Sequence, residues 1–181
     1  MKVTPTAFRD LVIIEPAVFS DDRGHFFESY NQHAFQKVGL DYAFVQDNQS
    51  FSTKGVLRGL HFQVPPFAQT KLVRVLSGSI QDVVVDLRKS ETTFGKYFSI
   101  ELSAENHKQL LVPKGFAHGF LVLSDFAQVL YKTDAFYQPG SERGIRYNDP
   151  ALGIDWIGQG QYLVSPRDQI NMMFDQSGYG F

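Results

Sequence analysis

The 181-residue chain contains no cysteine, which excludes disulfides, thiolate nucleophiles and zinc–thiolate centres together. Long hydrophobic runs are missing as well. No segment reaches the roughly eighteen apolar residues of a membrane-crossing helix, and Met1-Lys2-Val3-Thr4-Pro5 lacks the apolar stretch of a secretion signal. A cytoplasmic location without membrane association follows as the default expectation. Neither sign of charge is in excess: 17 basic and 19 acidic residues leave a net charge of -2. Such a chain has no general attraction for nucleic acid or anionic lipid, so any anion site has to be local. Internal repeats, low-complexity runs and linkers are also absent. The length suits a single domain burying roughly two thirds of its unfolded surface, and we expect one domain over 1–181.

What the chain has in abundance is aromatic: 17 Phe and 8 Tyr, a load that strands accommodate better than helices. Short apolar runs separated by turn residues recur at Leu11–Ile14, Phe26–Tyr30, Leu72–Leu76, Ile80–Leu87, Tyr97–Leu102, Gln109–Val112, Phe120–Leu123 and Gln128–Thr133. That spacing predicts an all-β sandwich or barrel. Leu72–Leu76, Ser77-Gly78-Ser79 and Ile80–Leu87 read as a hairpin, the glycine allowing the positive φ of a tight turn. Strand alternation places Leu72, Arg74 and Leu76 on one face and Lys71, Val73 and Val75 on the other, so Lys71 is aimed at the apolar side. Asn31–Val38 alone looks helical, capped by Asn31 and closed by Gly39. From 148 to 181 turn residues dominate, as in Asn148-Asp149-Pro150 and Gly158-Gln159-Gly160. This portion is expected to be a largely irregular C-terminal wrap.

The chemistry concentrates in Val56-Leu57-Arg58-Gly59-Leu60-His61-Phe62-Gln63, where a guanidinium and an imidazole stand three residues apart in a chain with five histidines. A cation beside a titratable base suits an anionic substrate. Pro113-Lys114-Gly115-Phe116-Ala117-His118-Gly119 supplies a second histidine, and Ser165-Pro166-Arg167-Asp168 an acid. A metal site is the first reading to weigh, because this spacing resembles the metal-binding halves of cupin barrels. Gln63 occupies the place of the usual second histidine, and two imidazoles fall short of the ordinary ligand sets, so no metal is expected. An imidazole without a metal suits proton transfer near neutrality. Asp168 is suited to orient His61, and Lys71 to stabilise developing oxyanion charge. Either Tyr131 or Tyr137 can return a proton from the opposite face. The plainer alternatives are a turn acid at Asp168, an exposed strand-opening Lys71, a core Tyr131 and a surface ion pair at Arg23.

In order and spacing, Asp21-Asp22-Arg23-Gly24, Phe27-Glu28-Ser29, Gln46-Asp47-Asn48, Arg58 to Gln63, Pro113 to Gly119, Tyr131-Lys132, and Gly144 to Pro150 through Gly153-Ile154-Asp155-Trp156 resemble the dTDP-4-dehydrorhamnose 3,5-epimerases. The resemblance covers nearly the whole chain. It implies a cupin-type jelly roll with short peripheral helices, working without metal or other cofactor as a homodimer on a dTDP-sugar. The implied reaction inverts C3 and C5 of dTDP-4-dehydro-6-deoxy-D-glucose. It further implies His61 as the proton-abstracting base, Asp168 as its partner, Tyr131 as the proton donor and Lys71 beside the C4 oxygen. Arg23, Glu28, Gln46, Asn48, Arg58, His118, Tyr137, Glu142 and Arg167 match substrate-contacting positions.

Two positions depart from the pattern: Phe62 stands where tyrosine is common, and Arg167 where lysine is usual. Ile170 to Phe181 matches nothing in the family pattern and is expected to be a frayed or subunit-covering end. His25, His33 and His107 receive no role. The alternatives are a mono-epimerase acting at one carbon and, further off, a non-catalytic carbohydrate-binding cupin.

Overall fold

A computed structural model describes residues 1–158, 161–175 and 178–181. The chain begins with β1 (Lys2–Pro5), β2 (Val12–Glu15), β3 (Phe19–Asp21) and β4 (Gly24–Phe26), followed by helix α1 (Gln32–Lys37). The central strands are β5 (Gln46–Thr53), β6 (Val56–Gln63), β7 (Lys71–Ser77), β8 (Ser79–Asp86), β9 (Tyr97–Ser103), β10 (Gln109–Val112), β11 (Phe116–Val122) and β12 (Phe126–Thr133). A 3-10 turn at Pro139–Ser141, two short strands, β13 (Glu142–Gly144) and β14 (Leu163–Val164), and helix α2 (Pro166–Gln169) complete the described elements. One sheet runs β1-β2-β10-β7-β12-β5 and the other β13-β6-β11-β8-β9, with β14 parallel to β6. Together they form the expected all-β cupin-type jelly roll, with two short helices at its periphery.

The interior between the sheets follows from strand alternation. Val73 and Val75 of β7, Val129 of β12, Ile80 and Val84 of β8, and Phe120 and Val122 of β11 share one buried cluster. Each sheet also buries its outer face. Leu72, Leu111 and Ile14 pack beneath Phe35 of α1. Leu57, Leu60, Phe62, Val83 and Val85 are covered by Leu152, Trp156 and Val164, so the C-terminal segment lies against the second sheet. Trp156 is anchored there by its indole N–H, which donates to the Tyr147 carbonyl at 2.9 Å.

Helix α1 forms where the pattern predicted it, with the Asn31 side chain accepting from the Ala34 N–H and Gly39 at φ +82° past the end. The expected β7–β8 hairpin does not exist. Those strands belong to different sheets, and the Gly78 turn carries the chain across the sandwich. A Cβ on Gly78 would meet the Phe126 carbonyl, so glycine is needed for close approach as well as for its φ of +76°. The expected strand at Phe26–Tyr30 also fails, since β4 ends at Phe26. Tyr30 instead packs edge-on against Phe35 and Phe44, which holds the chain on its way into α1. Of the expected turn Gly158-Gln159-Gly160, Gln159 and Gly160 lie outside the described residues.

Candidate active site

The separation of Arg58 from His61 poses a geometric problem, because residues three apart in a regular strand point to opposite faces. A β-bulge resolves it. The β6–β11 register pairs Phe120 with Arg58 but His118 with His61, so two steps on β11 span three on β6. Val56 and Arg58 before the bulge, and His61 and Gln63 after it, all line the interior cavity, while Leu57, Leu60 and Phe62 join the outer cluster, Leu57 and Phe62 also bordering the cavity. Gly59, at φ +123°, lies against Gly119; a Cβ on Gly59 would fall 2.5 Å from the Gly119 Cα. Glycine is therefore required on both strands where the bulge closes.

The same strands are apolar at one end of the sandwich and polar at the other. On β7 Val73 and Val75 give way to Lys71, on β12 Ala127 and Val129 to Tyr131, and on β11 Phe120 and Val122 to His118. Gln46, Asn48 and Ser50 continue this lining on β5 at alternate positions. The resulting cavity has a volume of about 650 Å³. Of the thirteen candidate residues, eleven line it, and only Arg23 and Glu28 lie elsewhere.

His61 Nε2 lies 2.6 Å from Asp168 Oδ1, linking residues 107 positions apart. Asp168 is buried in α2, whose N-cap Ser165 accepts from the Asp168 N–H, and its Oδ2 accepts from the Gly59 N–H at 3.3 Å. Burial pushes the Asp168 carboxyl up, but the hydrogen bond and charge of His61, with the Gly59 N–H and Ser165, outweigh it and hold the group below its ordinary value. The carboxylate can then only accept, so Nε2 carries the proton and Nδ1 keeps its lone pair. That is the form of an imidazole base.

Lys71 is buried, as alternation required, and its ammonium donates to the His61 carbonyl at 3.3 Å. Burial pulls it down to about 8, against the raising charges of Asp82 and Glu142. Tyr131 is driven up by burial first and by the Glu142 charge next, so its phenol keeps its proton. Across the mouth, Glu142 accepts from both Tyr137 and Arg167 at 2.6 Å. Burial raises the Glu142 carboxyl, and these two hydrogen bonds bring it below its ordinary value. Arg58 donates to the Ser52 hydroxyl, and Gln46 donates to Asn48 while accepting from the Tyr137 N–H.

Several positions acquire roles that the sequence left open. Gln63 donates to the Phe67 and Phe136 carbonyls and accepts from the Gln138 N–H, so the side chain standing where a metal-binding cupin has histidine ties down a loop. Phe62 is buried in the outer cluster, its ring edge-on to Tyr179 at 5.1 Å, and it also borders the cavity. Arg167 keeps the charge of the usual lysine and directs it to Glu142. Arg23 pairs with Asp21 in the β3–β4 hairpin, and Glu28 accepts from Asn31 just before α1. The bulge pair Gly59 and Gly119, Ser52 and the His118 partner Asp82 were not foreseen. The lone glycine inside an apolar strand was the available signal for the bulge. Among the described residues, no cluster of three His, Cys, Asp or Glu could hold a metal ion, and no helix is long and apolar enough to cross a membrane.

Comparison with known proteins adds a second line of observation. A family model described as dTDP-4-dehydrorhamnose 3,5-epimerase matches residues 5–176. A Shigella flexneri protein of that name is 52% identical over 180 residues, spanning 99% of both chains. The crystal structure of dTDP-4-dehydrorhamnose 3,5-epimerase from Elizabethkingia anophelis superposes with a TM-score of 0.93 at 50% identity, again over 99% of both. A Legionella pneumophila dTDP-6-deoxy-D-glucose-3,5-epimerase, solved in complex with dTDP-4-keto-L-rhamnose, superposes with a TM-score of 0.91 at 46% identity, covering 95% of this chain and 92% of that one.

Proposed function

The chain belongs to the dTDP-4-dehydrorhamnose 3,5-epimerase family, and from that premise we propose that it inverts C3 and C5 of dTDP-4-dehydro-6-deoxy-D-glucose to give dTDP-4-dehydro-L-rhamnose. The observation that carries this reading is the 2.6 Å His61–Asp168 contact inside a cavity that also holds Lys71 and Tyr131. His61 Nδ1 takes the proton from the carbon next to the C4 ketone. The electron pair moves onto the C4 oxygen, where the Lys71 ammonium offsets the charge. Tyr131 then donates its phenolic proton to the opposite face of the carbon, which inverts it, and solvent restores both groups. Repetition on the other side of the ketone inverts the second centre.

Arg58, Gln46, Asn48, Tyr137, Glu142, Arg167 and His118 hold the nucleotide, pyrophosphate and sugar in this reading, with guanidinium groups suited to paired contacts on phosphate. We read the whole chain as one epimerase domain acting as a homodimer. Arg23 and Glu28 lie outside the cavity of their own chain, and Phe19 and Phe26 of the same hairpin are exposed. A partner copy is the means by which these residues would reach a nucleotide. A cytoplasmic location belongs to the same reading, because a charged nucleotide sugar does not cross a lipid core unaided.

Turnover in D2O tests the reaction. Deuterium at both C3 and C5 is expected. Label at one carbon alone would make the protein a mono-epimerase, and tight binding with no label would leave a carbohydrate-binding cupin.

A further inference from the structure

On β11, directly across from His61, His118 repeats the arrangement just described. The two histidines are cross-strand partners, and His118 Nε2 lies 2.7 Å from Asp82 Oδ1. Asp82 is fully buried on β8, and His118 is nearly so. None of the described residues hydrogen-bonds the other carboxylate oxygen, Asp82 Oδ2. Ile80 and Val84, on the same face of β8, belong to the apolar core. For packing alone an apolar residue would serve better at position 82, because a buried carboxylate with an unmatched oxygen is costly. Its place beneath a substrate cavity points to a use of the charge.

We propose that Asp82 is a positioning residue for the epimerisation: it orients His118 through Nε2 so that Nδ1 faces the substrate, and its negative charge holds the buried Lys71 as an ammonium beside the C4 oxygen. This rests on the proposed reaction and extends it by one residue. Asp82 touches neither substrate nor reacting carbon. It acts through two groups on neighbouring strands, one on each sheet. The groups around Lys71 are Asp82 from β8, Glu142 from β13, His61 from β6, His118 from β11 and Tyr131 from β12, with Arg58 lining the same cavity. Asp82 first and Glu142 next raise the affinity of Lys71 for its proton. Glu142 already shares its charge with Arg167 and Tyr137. Asp82 engages His118 through Oδ1 alone, and its Oδ2 has no hydrogen-bond partner among the described residues.

Asp82→Asn keeps the shape and an oxygen for the His118 N–H while removing the charge. We expect turnover to fall about tenfold or more at pH 8, with KM changing far less than kcat. The alkaline limb of the rate profile should move down by about one pH unit, because Lys71 without Asp82 loses its proton earlier as pH rises. A variant that melts like the unmutated protein and keeps its rate and alkaline limb would overturn the proposal, as would lost rate with no movement of the limb. Should the variant not fold, nitrogen-15 spectra of the unmutated protein decide: His118 carrying its proton on Nε2 supports the proposal, and the Nδ1–H form contradicts it. Failure of the unmutated protein to exchange C3 and C5 protons would instead refute the reaction, so the two failures are distinguishable.

Discussion

At Asp168 two opposing effects meet on one carboxyl. Burial favours the neutral acid, while His61, the Gly59 N–H and Ser165 favour the anion and prevail. A carboxylate depressed in this way contributes stability above the ordinary carboxyl range and loses that contribution as pH falls through the lowered folded value. Its use in the proposed reaction is separate: it keeps the His61 proton on Nε2. Asp168→Asn retains the shape but lets the amide turn its NH2 toward the ring, which favours the wrong tautomer. We expect turnover to fall by about 10²–10⁴, checked by initial rates beside a melting curve, while the acid-side loss of stability becomes smaller. Ser165-Pro166-Arg167-Asp168 was legible as a turn, and it is one, capped and helical. Nothing local in those four residues announces a partner 107 positions away; the need of a base for an orienting acid suggested the pair, and only the family resemblance lifted it above a turn acid.

Strands and their junctions were legible to differing degrees, for physical reasons. Alternation on β7 correctly sent Lys71 inward with Val73 and Val75, because a period of two is a local property. Pairing is not local. The Ser77-Gly78-Ser79 turn has the composition of a hairpin, yet β7 and β8 face each other across the core instead of bonding edge to edge. The β6 motif displays the same limit. Its residues named the chemistry, but their spacing alone would send Arg58 and His61 to opposite faces. The bulge at Gly59 reverses that parity, and it requires the bare Gly119 opposite. A Cβ on Gly119 would lie 2.7 Å from the Arg58 carbonyl, so Gly119→Ala should force β6 and β11 apart. The expected cost is about 1–3 kcal/mol of stability, read by denaturant unfolding, with a loss of turnover larger than the surviving folded fraction explains. Normal kinetics in a folded variant would mean the bulge tolerates the methyl group.

For the molecule as a whole, the all-β class was legible in the aromatic load and the rhythm of short runs, and the C-terminal segment was legible as turn-rich. Its purpose was not. By covering the outer face of the second sheet through Leu152, Trp156 and Val164, it carries α2 to the mouth of the cavity and delivers Asp168 and Arg167. The proposed homodimer belongs to this scale too, since Arg23 and Glu28 stand outside the cavity their own chain forms. Sedimentation should give twice the chain mass, and Arg23→Ala should raise KM more than it lowers kcat. A fully active monomer would remove the partner from the site.

Proton exchange at the two stereocentres, followed by NMR in D2O for the unmutated protein and for His61→Asn, tests the central claim most directly. One oriented imidazole serving both carbons predicts deuterium at C3 and C5 with the unmutated protein, and a loss of about a hundredfold or more at both positions in the variant. Exchange persisting at either carbon in a folded His61→Asn protein would contradict it.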